Sequence, residues 1–377
     1  MNILFIHNTL PEYRIKWFEC IANNSNCLFM FTNEQLNKKI YKTDIDYSKF
    51  KKNNYFFLNK GIQGYKEINN IISGKFDFIE FPPIDSLREL LISIYIYIIC
   101  KKRNIKTGYF WEKWEAPYEL QPMKRKVKNW ILKKCAGLIF KRVDIVFAGS
   151  SRSKQYFLDN GVDESKICII PDVSEVPDCK YESIRKLYKI PEEKKIILYF
   201  GRIIEQKGLD ILIKAFSKLE NNSNYYLLIV GDGAFKDYCE QLAKTKGLQN
   251  ITFTGAINPA DRKNFFEQCD IFVFPGTFRD GCVDVWGLTI NEAIQFGKVV
   301  ISTDAVGSAY DLIRDGINGY RIKPENIEDL VWALKKVQNN TIYDTARNID
   351  KQLCEYYSIQ NMTMCYLKAI EKVLMRE

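Results

Sequence analysis

The stretch Phe272-Val-Phe-Pro-Gly-Thr-Phe-Arg-Asp-Gly-Cys-Val-Asp-Val-Trp-Gly-Leu-Thr-Ile-Asn-Glu-Ala293 decides how the rest of the chain is read. Its head belongs to an apolar run, Ile271 to Phe274, of the kind that forms a buried parallel strand. Pro275, Gly276, Asp280 and Gly281 then break the period and make a loop. A helix is expected to start near Gly287, because Leu288, Ile290, Ala293 and Ile294 keep a helical apolar spacing. The N–H groups of that first turn, at Gly287, Leu288 and Thr289, are free of intrahelical acceptors, and the helix dipole adds to their pull on an anion. Glu292 falls about a turn and a half into the helix, where a carboxylate accepts hydrogen bonds from a ribose diol beside the phosphates. Asp284 stands earlier, in the loop where a sugar on the far phosphate would lie.

A second run, Lys195-Ile-Ile-Leu-Tyr-Phe-Gly-Arg-Ile-Ile-Glu-Gln-Lys-Gly208, reads as a buried strand, a loop and the start of a helix over Leu209 to Leu219. Arg202 and Lys207 emerge at the strand's carboxyl end, where an arginine fork and a lysine neutralise a diphosphate as its bond to a sugar breaks. Together the two runs resemble the retaining family 4 glycosyltransferases of the GT-B fold. Asp284 to Glu292 is similar to that family's Glu-x7-Glu signature, with Asp at the first acid, and Gly201 to Gly208 is similar to its Gly-Arg-x4-Lys-Gly motif. The resemblance implies an α/β chain of two Rossmann-like domains whose parallel sheets face across a cleft, with a C-terminal helix crossing back to the first domain. It implies that Arg202 and Lys207 hold the donor diphosphate and that backbone groups near Gly255 and Ala256 lie against the nucleotide base. Asp304 to Ser308 and Asp315 to Gly319 also look like family turns. The likeness covers residues 195–335 in sequence and residues 1–180 in architecture only.

Length and composition agree with two domains, each with its own core: 377 residues, 46% apolar and 14% aromatic. Eleven Cys without a C-x-x-C pair, and Met1 leading straight into an apolar strand, point to a reduced, cytoplasmic compartment. A single His and no Cys/His cluster at zinc spacing leave no metal site to assign. The formal charge of +9 is uneven: residues 1–180 hold 29 Lys+Arg against 20 Asp+Glu, and the remainder holds 26 of each. Between Lys101 and Arg142 there are 13 basic and three acidic residues, a face suited to an anionic surface and not patterned for nucleic acid.

In chain order, strands are expected at Asn2 to His7, Leu28 to Phe31, Tyr55 to Leu58, Phe76 to Ile79, Thr107 to Phe110, Asp144 to Ala148 and Ile167 to Ile170, with helical patterns between several. That alternation argues for a parallel sheet. The loop Asn8-Thr9-Leu10-Pro11 has no glycine, and His7, Asn8 and Arg14 are candidates to touch acceptor or donor, with a structural role equally open for His7. Leu90 to Cys100 is too short for a membrane span, which needs about 20 residues, and reads as a buried helix, with an interfacial one as the alternative. Met123 to Ile139 carries Val127, Trp130, Ile131, Leu138 and Ile139 as an apolar stripe beside Lys124, Arg125, Lys128 and Lys133, which fits a helix lying on a membrane surface, a solvated surface helix being the alternative. Trp111 and Trp114 are candidates to stack on a sugar, and Glu112 or Glu115 to take the acceptor's proton. Pro171 to Tyr181 reads as the interdomain linker, and Ser358 as the N-cap of the last helix.

The reading is therefore an acceptor-binding domain over residues 1–178, a nucleotide-sugar domain over 179–355, and a helix over 356–377 that packs on the first. The expected activity is retaining, metal-independent transfer of a hexose-type sugar from a nucleoside diphosphate to an acceptor hydroxyl. Arg202, Lys207, Asp284 and Glu112 are assigned to catalysis. Gly201, Gly255, Ala256, Asp280, Gly281, Gly287, Leu288, Thr289 and Glu292 are assigned to the donor. No cofactor is called for beyond that donor, and the acceptor is expected to be a saccharide or lipid-linked saccharide. Residues 101–142 would meet the anionic inner face of the cell membrane. A nucleotide-sugar epimerase and a non-catalytic carbohydrate- or membrane-binding module are the alternatives.

Overall fold

The apolar runs become parallel strands and sort into two sheets. The structure is a computed structural model that describes residues 1–33, 55–338 and 341–376. The first sheet holds β1 (Asn2–His7), β2 (Asn26–Phe31), β3 (Tyr55–Phe57), β4 (Phe78–Phe81), β5 (Lys106–Trp111), β6 (Ile145–Ala148) and β7 (Ile167–Ile169) in the order β3-β2-β1-β4-β5-β6-β7. The second holds β8 (Lys195–Phe200), β9 (Tyr225–Val230), β10 (Ile251–Gly255), β11 (Ile271–Phe274), β12 (Val299–Thr303) and β13 (Gly319–Ile322) in the order β10-β9-β8-β11-β12-β13. Every ladder between these strands is parallel. The strand order reverses between β1 and β4 in one sheet and between β8 and β11 in the other, and open α/β sheets bind ligands at the carboxyl ends of such a switch.

The chain divides into two units, residues 1–114, 123–173 and 358–377 in one, and residues 115–122 and 174–357 in the other. The division thus falls after Val173, and the short segment 115–122 goes with the second unit.

In the second unit the strands are covered on both faces, which is why they read as unbroken apolar runs. Ile197, Tyr199, Ile271 and Val273 belong to one core, while Ile196, Leu198, Phe272 and Phe274 belong to the other. Side chains alternate across the pleat, so neighbours along one strand enter different cores. The first unit is held by aromatics: Phe5 lies 5.0 Å from Phe18 and 5.7 Å from Phe29 between ring centroids, and Tyr366 of the C-terminal helix Ile359–Leu374 lies 4.7 Å from Phe147. Ser358 caps that helix, its hydroxyl accepting from Asn361 N at 3.1 Å.

Several local expectations need correction. β4 runs over Phe78–Phe81, two residues later than its apolar pattern suggests. Asp77 pairs with Asn2 through its own N–H and carboxylate, so it opens the strand, and Pro82-Pro83 closes it. The Leu90 run lies in a longer helix, Leu87–Arg103, that is buried along one face only; Leu91 and Ile98 are exposed. Trp111 and Trp114 are packed away at 6% and 4% exposure, Trp111 edge-on to Tyr109 and Tyr156, and so offer no open face to a sugar. In the helix Met123–Phe140, Ile139 is buried, but Val127, Trp130, Ile131 and Leu138 face outward.

Candidate functional site

The site in the second unit is assembled by the loops that leave β8 and β11, the two strands flanking the switch point. Gly208 brings them together. At φ 69° it occupies the left-handed region, and a Cβ there would stand 2.0 Å from Pro275 O, so only glycine admits this approach. Thr277 N donates to Gln206 O at 2.9 Å and Gln206 Nε2 donates to Asp280 Oδ2 at 3.0 Å, continuing the seam. Lys207 emerges from it with its Nζ ion-paired to Asp284 and 4.8 Å above the Phe274 ring. Arg202, five residues earlier in the same loop, has an exposed side chain that donates to no other group among the described residues, while its carbonyl accepts from Tyr199 Oη at 2.9 Å.

The rest of the β11 loop is fixed by a clamp absent from the sequence reading. Arg279 donates to both carboxylate oxygens of Asp210, at 2.8 and 3.0 Å, and to Glu325 Oε1 at 2.9 Å. Burial pushes the Asp210 carboxyl up, but hydrogen bonds from Arg279 and Lys214 outweigh it and hold the group below its ordinary range. Asp280 beside the clamp is itself left-handed, at φ 55°, and exposed, whereas Gly281 is buried.

The helix Leu288–Gln295 begins where expected, with Gly287 at its N-cap. Gly287 has φ 89°, and a Cβ on it would lie 2.6 Å from Val306 Cγ1. Ile290 N closes on Gly287 O at 3.0 Å, leaving the Leu288 and Thr289 N–H groups without an intrahelical acceptor. The segment after β12 braces this turn: Asp284 N donates to Ala305 O at 2.9 Å, Gly307 N to Asp284 O at 2.9 Å, and Ser308 N to Trp286 O at 2.7 Å. Glu292, on the same helix, is 3% exposed. Burial raises its carboxyl above the usual range, opposed by the charge and hydrogen bond of Arg262 and by Ser174. Gly201 and Gly255 both brace the end of β9, Gly201 N donating to Val230 O and Gly231 N to Gly255 O, each at 3.0 Å; Ala256 beyond them is exposed.

The structure therefore gathers Gly201, Arg202, Lys207, Asp280, Gly281, Asp284, Gly287, Leu288, Thr289 and Glu292 on two adjoining loops and one helix, with Gly255 and Ala256 at the next strand end. Lys207 and Asp284 touch directly. Sequence reasoning missed Arg262, Ser174 and Arg279, since no local pattern marks an arginine whose partner lies 30 or 69 positions away.

Glu112 belongs to the first unit, just past β5, where a buried charge cluster holds it. Arg14, 2% exposed, pairs with Glu112, forks onto Asp172 at 2.9 and 3.1 Å, and stacks 4.8 Å from Phe110. Its Nη1 lies 2.6 Å from His7 Nε2, and because arginine only donates, that nitrogen accepts while His7 Nδ1–H donates to Thr9 O at 2.8 Å. Burial and then the Arg14 charge push the imidazole well below its ordinary pKa, so His7 is a neutral, fully engaged structural group. Among the described residues no group of His, Cys, Asp and Glu is arranged to hold a metal ion.

Two parallel α/β units, each with a switch point in its strand order, have the architecture of the GT-B fold. The chain matches the family described as glycosyl transferases group 1 through residues 180–353. It is 27% identical over 183 residues to an uncharacterized glycosyltransferase of Methanocaldococcus jannaschii, covering 48% of this chain and 45% of that protein. It is 27% identical over 215 residues to the O-antigen chain mannosyltransferase C of Escherichia coli, covering 56% of each. The chain thus spans about half the length of these curated relatives. Among solved structures, Anabaena HepE in complex with UDP superposes with a TM-score of 0.74 at 17% identity over 99% of this chain and 100% of that one, a likeness of fold.

Proposed function

We propose that the chain is a retaining, metal-independent glycosyltransferase that moves a hexose-type sugar from a nucleoside diphosphate to an acceptor hydroxyl. The observation that carries this reading is the meeting of Lys207 and Asp284 beside the Gly287 turn, on the loops of the switch point. In it, Arg202, Lys207 and the Leu288 and Thr289 amides take the charge that grows on the departing diphosphate, the largest electrostatic demand of the reaction. Glu292 holds the ribose, and Gly255 and Ala256 face the base. Asp284, with Asp280 or Gly281, faces the sugar. Entry of the diphosphate would draw Lys207 from Asp284 and free that carboxylate for a sugar hydroxyl. Glu112 is the candidate to receive the acceptor's proton, with Arg14 fixing its position. The UDP in the HepE complex supports a nucleoside diphosphate as the leaving group.

The acceptor is a growing surface polysaccharide or glycolipid at the cytoplasmic face of the membrane. Among the described residues no helix is long and apolar enough to cross a membrane. The basic helix Met123–Phe140 instead exposes Met123 at 70% and Trp130 at 61%, with Val127 and Ile131 on the same face. A cationic helix with an uncovered apolar stripe suits reversible docking on anionic lipid, each Lys or Arg near the leaflet adding about 1 kcal/mol. The O-antigen relative supports the same setting.

The test is transfer from a panel of radiolabelled nucleotide sugars to membrane extracts, comparing wild type with Lys207→Ala. Label entering lipid or polysaccharide only with wild type supports the proposal. Release of free nucleotide and unlinked sugar derivative with no acceptor product would instead indicate an epimerase.

A further inference from the structure

Glu292 lies almost fully buried, yet both of its protein partners meet the same oxygen. Arg262 Nη1 donates to Oε1 at 2.7 Å and Ser174 Oγ donates to Oε1 at 3.3 Å. Among the described residues the hydrogen bonds to Glu292 all reach Oε1 and none reaches Oε2. Neither partner is loose. Arg262 Nε donates to Pro259 O at 2.9 Å, which fixes the plane of the guanidinium, and Ser174 N donates to Asn291 Oδ1 at 3.1 Å on the helix that carries Glu292. Gln295, a turn further along, is bonded to the Ser174 carbonyl and accepts from Val176 N at 3.1 Å. Arg262 opens the helix Arg262–Gln268, a few residues beyond the Gly255-Ala256 turn assigned to the base. It thus ties the segment that follows this turn to Glu292.

We infer that Arg262, aided by Ser174, is a positioning residue that keeps Glu292 charged and its Oε2 turned to the ribose diol, so that selection of ribonucleotides over deoxyribonucleotides depends on it. This rests on the reading that Glu292 holds the donor ribose. The physics is simple. A carboxylate this deeply buried favours its neutral form unless a cation lies beside it, and Arg262 supplies that cation. An acceptor whose second oxygen is already engaged presents one lone oxygen in a single direction, and a polar group left unmatched by a deoxy analogue rejects that analogue strongly.

The experiment measures affinity of the protein for UDP, GDP, ADP and CDP by titration calorimetry, then repeats it with the 2′-deoxy form of whichever binds. The variants are Arg262→Gln, Arg262→Lys and Glu292→Gln, each checked for its melting temperature. Wild type is expected to favour the ribonucleotide over its 2′-deoxy form by about tenfold or more, a ratio in which the titration of the phosphates themselves cancels. Arg262→Gln should reduce that preference to within about threefold near pH 6 and let it recover as pH rises, because the uncompensated carboxyl must lose its proton to accept from the diol. Arg262→Lys, which returns a cation, should restore most of that preference. If Arg262→Gln weakens ribo and deoxy forms equally at every pH, Arg262 only ties two helices together and the inference fails. If Glu292→Gln leaves the ribose preference intact, or no diphosphate binds wild type, the reading of the donor site itself fails.

Discussion

Glu80 offers a stability test whose sign and size follow directly from the structure. It lies on β4 with no exposed surface, one carboxyl oxygen accepting from Tyr366 Oη at 2.8 Å and the other, Oε1, without a partner. Burial raises its pKa from 4.5 to about 8, against the smaller lowering effects of Tyr366 and Arg14. A carboxyl with a raised folded pKa is harmless while it is protonated in both states, below about pH 4.5. Between 4.5 and 8 the unfolded chain ionises while the folded one does not, so stability falls by about 1.4 kcal/mol per pH unit. At pH 7 the loss is about 3 kcal/mol, and it levels off above pH 8. Glu80→Gln keeps the shape and a carbonyl for Tyr366 but removes the proton. Urea denaturation of wild type and variant, followed by the tryptophan fluorescence of the first unit, should therefore give curves that lie close together at pH 5. They should part by pH 8.5, with the variant the more stable. Parallel pH profiles would refute the claim that an uncompensated acid is buried under the C-terminal helix.

Gly287→Ala forces a Cβ to 2.6 Å from Val306 and a side chain into φ 89°; a loss of about 2–4 kcal/mol is expected in thermal or urea unfolding, together with weakened diphosphate binding. Arg279→Ala leaves Asp210 buried with Lys214 as its remaining charged partner, and should destabilise the second unit by about 2–3 kcal/mol while raising the donor KM more than it lowers kcat. The stability that Asp210 contributes is present at neutral pH and is lost as pH falls through its lowered folded pKa. The gap between wild type and Arg279→Ala should accordingly narrow in acid, as urea titrations at pH 7 and pH 3 would show. Trp130→Glu should abolish most sedimentation with vesicles containing anionic lipid, and in wild type a salt-resistant fraction is expected from the exposed apolar stripe.

What was legible in the sequence was whatever depends on neighbours along the chain. The strand Ile271 to Phe274, the break at Pro275 and the helix start at Gly287 announce themselves through period and backbone chemistry, and Gly208 does so through the run that precedes it. The harder features pair distant residues. Arg14 and Asp172 are 158 positions apart, Arg262 and Glu292 30 apart, Arg279 and Asp210 69 apart; Arg14 read as a ligand contact and not as a buried clamp, and nothing local marked Arg262 or Arg279. Trp111 and Trp114 misled for a related reason: a tryptophan at a strand's carboxyl end is equally good as a sugar platform or as core, and packing against Tyr109 and Tyr156 decided for the core in Trp111. The outward face of the helix Met123–Phe140 was written in its charge pattern, but which of its apolar residues would remain uncovered depended on where the helix seats its Ala136-Gly137 end.

In the proposed reaction Arg202, Lys207 and the Leu288 and Thr289 amides hold a diphosphate. Titration calorimetry of the wild type and of Arg202→Ala/Lys207→Ala with a nucleoside, its monophosphate and its diphosphate tests it most directly. The diphosphate should bind wild type at least about a hundredfold more tightly than the nucleoside, as expected of two charge-assisted contacts of about 1.5–3 kcal/mol each. The double variant should lose most of that advantage while keeping its affinity for the nucleoside. An undiminished preference for the diphosphate in the double variant would contradict the account.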